Sequence, residues 1–296
     1  MIRKIGFVGL GSMGLPMATN LVTAGFEVQG FDLAPKAREH FARANGTAVE
    51  SAAAAASGAD ALVLMVVNVA QAGLVLFDSG AATSLPDGGI VVLMSTCPPE
   101  EVAALAVRVE SIGRRFIDAP VSGGVAGAKS GGLTIMAAAP DTLFAEALPV
   151  FETLGNRIFQ VGKRPGQGAA IKIVNQLLCG VHLAAAAEAL ALASRMGVDP
   201  EAALAILGGS SAASWMLSDR GPRMLETAPN VTSAVDIFVK DLGIVLEAGR
   251  TARAAVPLAM TAHQMFLAAS SRGLGSADDS QVVQAYRSVT EHLTVP

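Results

Sequence analysis

The sequence predicts an α/β domain with a doubly wound, mostly parallel sheet, followed by an all-α C-terminal domain. Three observations predict it. Short β-rich runs alternate with helical runs through the first half, a glycine turn follows directly on the first of them, and strand signals nearly vanish after about residue 162.

In chain order, strands are expected at 4–8, 27–31, 61–66, 90–93, 115–117 and 133–138, with helices between them at 13–24, 36–44, 100–112 and 142–154. Alternation of this kind implies right-handed crossovers and a sheet covered on both faces. The unbroken apolar run Ala-Leu-Val-Leu-Met-Val-Val from Ala61 suits a central strand buried on both sides. The loop Gly-Lys-Arg-Pro-Gly-Gln-Gly at 162–168 marks a boundary, dividing the chain into residues 1–162 and 163–296. Beyond it, residues 169–196 contain no proline and read as one helix of about 28 residues, roughly 42 Å long. Its leucines and valines fall on nearly every side, the mark of a helix buried on several faces. That surplus of apolar surface predicts a homo-oligomer, a homodimer or homotetramer.

Composition narrows the function. At 296 residues, 52% apolar and only 16% charged, the chain has room for two domains and a large core. A net charge of −4 argues against a nucleic-acid partner, which calls for clustered Lys and Arg. The apolar runs 61–67 and 177–193 are too short or too interrupted to give roughly 20 unbroken apolar residues, and the N-terminus runs straight into a strand, so no membrane partner and a cytoplasmic setting are expected. Two cysteines, Cys97 and Cys179, make neither a disulfide framework nor a metal spacing. The four histidines, His40, His182, His263 and His292, form no close pair, and no metal is expected.

The glycine turn is the first chemical signal. Gly9, Gly11 and Gly14 stand in the G-x-G-x-x-G pattern, with Leu10, Ser12 and Met13 between them, after a strand and at the start of a helix. That context is the dinucleotide-binding turn of a Rossmann domain: glycines allow the tight bend and close approach to a pyrophosphate, and the helix N-terminus attracts the phosphates. Asp32 ends the second strand, where an acidic residue accepts ribose hydroxyls and repels a 2′-phosphate, so NAD is expected over NADP.

Other dehydrogenase chemistries lack their residues. The single tyrosine, Tyr286, is followed four positions on by Thr290, which rules out Tyr-x-x-x-Lys, and the cysteine ligands of a zinc alcohol dehydrogenase are missing. Two segments remain. In Asp-Ala-Pro-Val-Ser-Gly-Gly-Val-Ala-Gly-Ala from Asp118, Ser122, Gly123 and Gly124 offer a hydroxyl and backbone N–H groups, either as a nest for a carboxylate or as a plain loop. In Gly-Gln-Gly-Ala-Ala-Ile-Lys-Ile-Val-Asn-Gln from Gly166, Lys172, Asn175, Gln176 and Cys179 share one helix face. A lysine there either snorkels to solvent or is held neutral enough to exchange a proton.

These segments, together with residues 6–21 (GFVGLGSMGLPMATNL), resemble the β-hydroxyacid dehydrogenases, a family that includes 3-hydroxyisobutyrate dehydrogenase, tartronate semialdehyde reductase and, more distantly, 6-phosphogluconate dehydrogenase. The resemblance spans essentially the whole chain. It implies NAD-dependent oxidation of a small hydroxy acid, with Lys172 as catalytic acid/base and Ser122, Gly123 and Gly124 as the substrate anchor. It further implies Asn175 as a substrate contact and Lys240 beside nicotinamide and substrate. Thr96 matches a threonine that contacts the cofactor, and Val66 and Val67 lie on its backbone path. The segments following Lys172, Ser214 and Ser233 are most similar to members acting on a four-carbon sugar acid, and position 176 is Gln where 3-hydroxyisobutyrate dehydrogenase has a second Asn. The Ala-rich run 52–56 and residues 217–230 depart from the pattern. A non-enzymatic binding member of the fold would lack Lys172, Ser122 or Lys240; all three are present. Asp236 and Asp241 flank Lys240 and either pair with it or solvate a helix end, and Trp215 reads as a core residue in preference to a substrate wall.

Overall fold

The computed structural model describes residues 1–291; His292 and the last residues of the expected helical domain lie outside the described residues. The chain divides into two compact units, Met1–Lys172 and Ile173–Pro296. The glycine-rich loop 162–168 thus lies inside the first unit, and the division falls within a helix.

The first unit runs β1 (Lys4–Val8), α1 (Gly14–Thr23), β2 (Glu27–Phe31), α2 (Pro35–Arg43), β3 (Thr47–Ala48), α3 (Ala52–Ala56), β4 (Ala61–Leu64), α4 (Val69–Gly73), α5 (Ala81–Ser84), β5 (Ile90–Leu93), α6 (Pro99–Glu110), β6 (Arg115–Asp118), β7 (Val121–Ser122), α7 (Gly124–Ser130), β8 (Leu133–Ala138), α8 (Asp141–Leu154) and β9 (Gly155–Gly162). Its sheet has the order β3-β2-β1-β4-β5-β6-β8-β7, with β9 pairing β8. The first six strands are parallel and follow the Rossmann order; β8 meets β6 and β7 antiparallel. Alternation on the pleat explains the unbroken apolar runs: Ala61 and Val63 of β4 join a core with Met17 and Phe151, while Leu62 and Leu64 join a second with Ala55 and Val102. Both faces are therefore dry, as a doubly wound sheet requires.

Six short elements (β3, α3, α4, α5, β7 and α7) and the eight-residue β9 were not expected from sequence. β9 carries Asn156, Arg157, Phe159 and Gln160 as exposed residues, so it shows neither an apolar run nor clean alternation. Its identity comes from pairing with β8, through Ile135↔Ile158 and Met136↔Phe159. The strand expected over 61–66 stops at Leu64, because Met65 and Val66 turn away past Gly9.

The long helix α9 spans Gln167–Arg195 and reaches from the first unit into the second. The rest of the second unit is α10 (Pro200–Gly208), α11 (Trp215–Met224), α12 (Val235–Ala252), α13 (Pro257–Ala269) and α14 (Val283–Glu291). Asp199 and Ser214 accept bonds from the Ala202 and Leu217 N–H groups and so cap α10 and α11. Leu183, Ala187 and Leu190 of α9 pack with Leu242, Val245 and Phe266, and the Phe238 and Phe266 rings stack 5.0 Å apart. Among the described residues α9 is the one helix long and apolar enough to cross a membrane by length and composition. It nonetheless buries Lys172 and Gln176 and supplies the core of the helical unit. Trp215 corrects its expectation: at the first turn of α11 it is 54% exposed, with the Arg220 guanidinium 5.7 Å from its ring.

Candidate active site

Register builds the first part of the site. Val8, Phe31, Leu64, Leu93 and Asp118 stand opposite one another at the ends of adjacent parallel strands. The segments that follow all emerge on the same carboxyl edge: Gly9 to Gly14 after β1, Asp32 after β2, Val66 and Val67 after β4, Thr96 after β5, and Ser122 to Gly124 after β6. Strand order reverses between β1 and β4, the point at which such sheets open a crevice for ligands.

At the turn, Gly9 has φ 98°, and an added Cβ would sit 2.3 Å from the Met65 carbonyl oxygen. A Cβ on Gly14 would lie 1.8 Å from the Gly9 oxygen, whereas one on Gly11 would meet nothing within 4 Å. Two glycines therefore fold the turn and the third leaves open space above it. The ten-residue helix α1 starts with no side-chain cap and no acidic residue in its first turn, which leaves its positive end for an anion. Leu10 is buried beneath the turn, Ser12 is exposed and Met13 half-buried. The turn is tied to β2 by the Gly9 N–H to the Phe31 oxygen at 2.9 Å and the Leu10 N–H to Asp32 Oδ2 at 2.7 Å. Asp32 Oδ1 accepts the Ala34 N–H at 2.8 Å. Sequence reasoning overlooked Arg38, which donates to the Asp32 carbonyl at 2.7 Å and pairs with Glu50 at 3.2 Å. Val66 lies against Gly9, and Val67, half exposed, donates its N–H to Gln71 Oε1 at 3.0 Å. Thr96 is half-buried just beyond the buried Ser95.

Past β6 the loop turns at Gly123 (φ 128°) and Gly124 (φ 60°), both in conformations that favour glycine, and Ser122 pairs with Thr134 of β8. Asp118, the residue that opens the glycine-loop segment, is 1% exposed. Its Oδ2 accepts the N–H groups of Gly166 and Ala169, each at 2.9 Å, at the start of α9. Burial pushes its carboxyl up to about 6, with the Ala169, Gly166 and Gly168 amides opposing. Lys172 follows one turn later on α9, 5% exposed. No spacing rule links an aspartate to amides 48 and 51 positions away, so only the fold could reveal this contact.

In the second unit, Asn175 is half-buried and Gln176 is 8% exposed on α9. Gln176 Nε2 donates to Asp241 Oδ2 at 2.5 Å, and Lys240 Nζ stands 2.8 Å from Asp241 Oδ1. Asp241 therefore pairs with Lys240, while Asp236 is exposed and accepts the Ser270 hydroxyl at 2.6 Å. His263 contacts the Val239 carbonyl at 3.0 Å, and His40 and His182 are exposed. Among the described residues no group of three or more His, Cys, Asp or Glu side chains could hold a metal ion.

The chain matches two family models, the NAD binding domain of 6-phosphogluconate dehydrogenase over residues 4–162 and the NAD-binding domain of NADP-dependent 3-hydroxyisobutyrate dehydrogenase over residues 166–286. It is 43% identical to L-threonate dehydrogenase of Cupriavidus necator, covering 97% of each chain. It is 33% identical to 2-hydroxy-3-oxopropionate reductase of Escherichia coli, covering 98% of this chain and 99% of the relative. A crystal structure of 3-hydroxyisobutyrate dehydrogenase from Salmonella typhimurium superposes with a TM-score of 0.90 at 38% identity, covering 95% of this chain and 99% of that one. On these matches the chain belongs to the β-hydroxyacid dehydrogenases, NAD(P)-dependent oxidoreductases of small hydroxy acids.

Proposed function

We propose that the protein oxidises L-threonate, or a closely related four-carbon sugar acid, to the 2-dehydro acid, with NAD as the hydride acceptor and Lys172 as the general base. The substrate rests on the 43% identity to an L-threonate dehydrogenase over 97% of both chains. The observation that carries the base is Lys172 itself, an amine 5% exposed one turn into α9.

When bound, NAD supplies an acceptor for the hydride that leaves the carbinol carbon. Gly9 to Gly14 and the start of α1 would hold its pyrophosphate, with the Leu10, Ser12 and Met13 backbone contributing. Asp32, fixed by two amides, has carboxylate lone pairs left for the ribose hydroxyls and carries charge that disfavours a 2′-phosphate. Val66, Val67 and Thr96 line the same edge. Ser122 and the N–H groups of Gly123 and Gly124 hold the substrate carboxylate, and Asn175 and Lys240 orient its hydroxyls. Lys172 would accept the hydroxyl proton as the carbinol carbon is oxidised, becoming an ammonium as the carbonyl forms.

Exposed Ile171, Val174 and Leu178 form a helical stripe on α9 that supports a homodimer or homotetramer, and a monomer of about 30 kDa by light scattering would overturn that part. The likeness to cofactor-dependent metabolic enzymes supports a cytoplasmic setting. A second reading, 3-hydroxyisobutyrate dehydrogenase or 2-hydroxy-3-oxopropionate reductase, is favoured by the Salmonella structure and the Escherichia coli relative.

The test is a panel of D- and L-tetronates, 3-hydroxyisobutyrate and tartronate semialdehyde, each with NAD(H) and NADP(H). L-Threonate with NAD should give the highest kcat/KM. Lys172→Met should lower kcat about 10²–10⁴-fold while NAD still binds. Retention of more than a tenth of native turnover by that variant would place the base elsewhere.

A further inference from the structure

We propose that Asp118 is a positioning residue: its buried carboxylate pins the first turn of α9 to the end of β6 and thereby holds Lys172 in register with the Ser122–Gly124 loop. The inference rests on Lys172 being the base.

Asp118 is the last residue of β6, and the loop carrying Ser122 begins directly after it. Its Oδ2 receives the Gly166 and Ala169 N–H groups together, so one oxygen satisfies two of the otherwise orphaned donors at the head of α9. The other oxygen, Oδ1, is buried and without a hydrogen-bond partner, so the hydrogen bonds of the carboxylate go to the head of α9. The helix end provides partial positive charge to meet it.

The glycines of the Gly-Gln-Gly segment make the contact possible. A Cβ on Gly168 would fall 2.6 Å from the Met136 oxygen and 2.7 Å from the Asp118 oxygen, and one on Gly166 would fall 2.8 Å from the Pro99 oxygen. The first turn of α9 therefore rests directly on backbone at the strand ends, with no side chain in between. Lys172 lies three residues past Ala169, on the same side of the helix. A shift of about 1 Å in a reacting group can lower turnover about 10²-fold, so an anchor one turn away bears on chemistry. A single residue thus tethers the two segments that hold the substrate carboxylate and the base.

The test compares Asp118→Ala and Asp118→Asn with native enzyme and Lys172→Met, using L-threonate and NAD. Asp118→Ala should lower kcat at least tenfold, with a smaller fall in the asparagine variant, while NAD Kd by fluorescence stays within twofold. With substrate deuterated at the carbinol carbon, the isotope effect on kcat should rise, because hydride and proton transfer become rate-limiting. Amides of residues 169–172 should exchange faster with deuterium, while those of β1 and β4 stay protected; this readout needs no turnover. Gly168→Ala should reproduce the pattern with Asp118 intact. Unchanged exchange at 169–172, or kcat within twofold of native, would overturn the inference. So would a loss that takes NAD binding with it, which marks general collapse. An active Lys172→Met enzyme overturns both this and the base assignment; an inactive one beside a normal Asp118→Ala overturns this alone. Should alanine prevent folding, the near-isosteric asparagine variant decides.

Discussion

Asp118 in the sheet unit and Asp279 in the helical unit are equally buried, at 1% and 0% exposure, and are held by different chemistry. Asp118 receives only backbone N–H groups. Asp279 accepts two bonds from Arg220, from Nε at 2.9 Å and from an NH2 nitrogen at 3.2 Å, and Arg220 also pairs with Asp219. Arg223 adds a contact to Asp278 at 3.2 Å. The difference follows from architecture. A parallel sheet brings several strand ends and a helix start to one edge, where unpaired amides converge. In the helical unit Asp279 is met by side chains, while its neighbour Asp278, at the start of a short turn, takes the Thr232 and Ser280 N–H groups. Breaking the two arrangements should therefore move stability in opposite directions.

The largest effect is expected in the helical unit. Arg220→Met leaves Asp279 buried without its main partner and should cost about 3–5 kcal/mol in urea unfolding at neutral pH. Burial already pushes the Asp279 carboxyl up, with Arg220 opposing, so the loss should shrink in acid as that carboxyl protonates. Arg220→Met combined with Asp279→Leu should recover most of it. A loss under about 1 kcal/mol for the single variant would mean the pair is not desolvated as described.

The sheet unit should respond with the opposite sign. The Asp118 carboxyl titrates at about 6 when folded against an ordinary 3.8, so its protonated form favours the folded state. Its contribution is fully present below about pH 4 and is lost as pH rises through 6. A gap of roughly two pH units corresponds to about 3 kcal/mol by neutral pH. Unfolding free energies of native protein and Asp118→Asn, compared from pH 3.5 to pH 7.5, should diverge by that order across the window. A constant difference would show that Asp118 ionises alike in both states. Together with the kinetics expected above, that divergence would make Asp118 a residue whose ionised form positions α9 at the expense of stability.

Glycines sharpen the same contrast at smaller scale. A Cβ on Gly14 would meet a backbone oxygen at 1.8 Å, which cannot rotate aside, whereas one on Gly180 of α9 would meet the side-chain end of Leu242 at 2.7 Å. Gly14→Ala should destabilise by about 1–3 kcal/mol and weaken NAD binding. Gly180→Ala should stay within about 1 kcal/mol of native, since Leu242 can yield and helix propensity improves by about 1 kcal/mol. Equal Tm shifts for the two would break the distinction.

Much of this was legible beforehand. The strands at Ile90–Leu93 and Leu133–Ala138 announced themselves because residues buried on both faces must be largely apolar, and Glu27–Phe31 did so by alternation, with Val28 and Gly30 buried between more exposed neighbours. β9 did not, because its exposed Asn156, Arg157 and Gln160 resemble a loop until β8 is beside them. Trp215 looked like core by residue type, yet its position at the capped start of α11 leaves it 54% exposed. For Asp236 and Asp241, five residues apart on one helix, sequence left two roles open; burial at 2% and the contacts to Gln176 and Lys240 separated Asp241 from its exposed neighbour.

The sequence by itself determined the class of fold, the glycine turn with its acidic residue at the next strand end, and the helix bearing Lys172. Each of these is written in local periodicity or in a motif whose parts lie within a few residues or one strand–helix–strand unit. Tertiary structure alone decided that Asp118 meets the head of α9, that Gln176 and Lys240 share Asp241, and that Arg220 serves Asp279. Those contacts join residues 48 to 65 positions apart, or stand on elements placed by packing, and no local pattern records which buried carboxylate meets which donor.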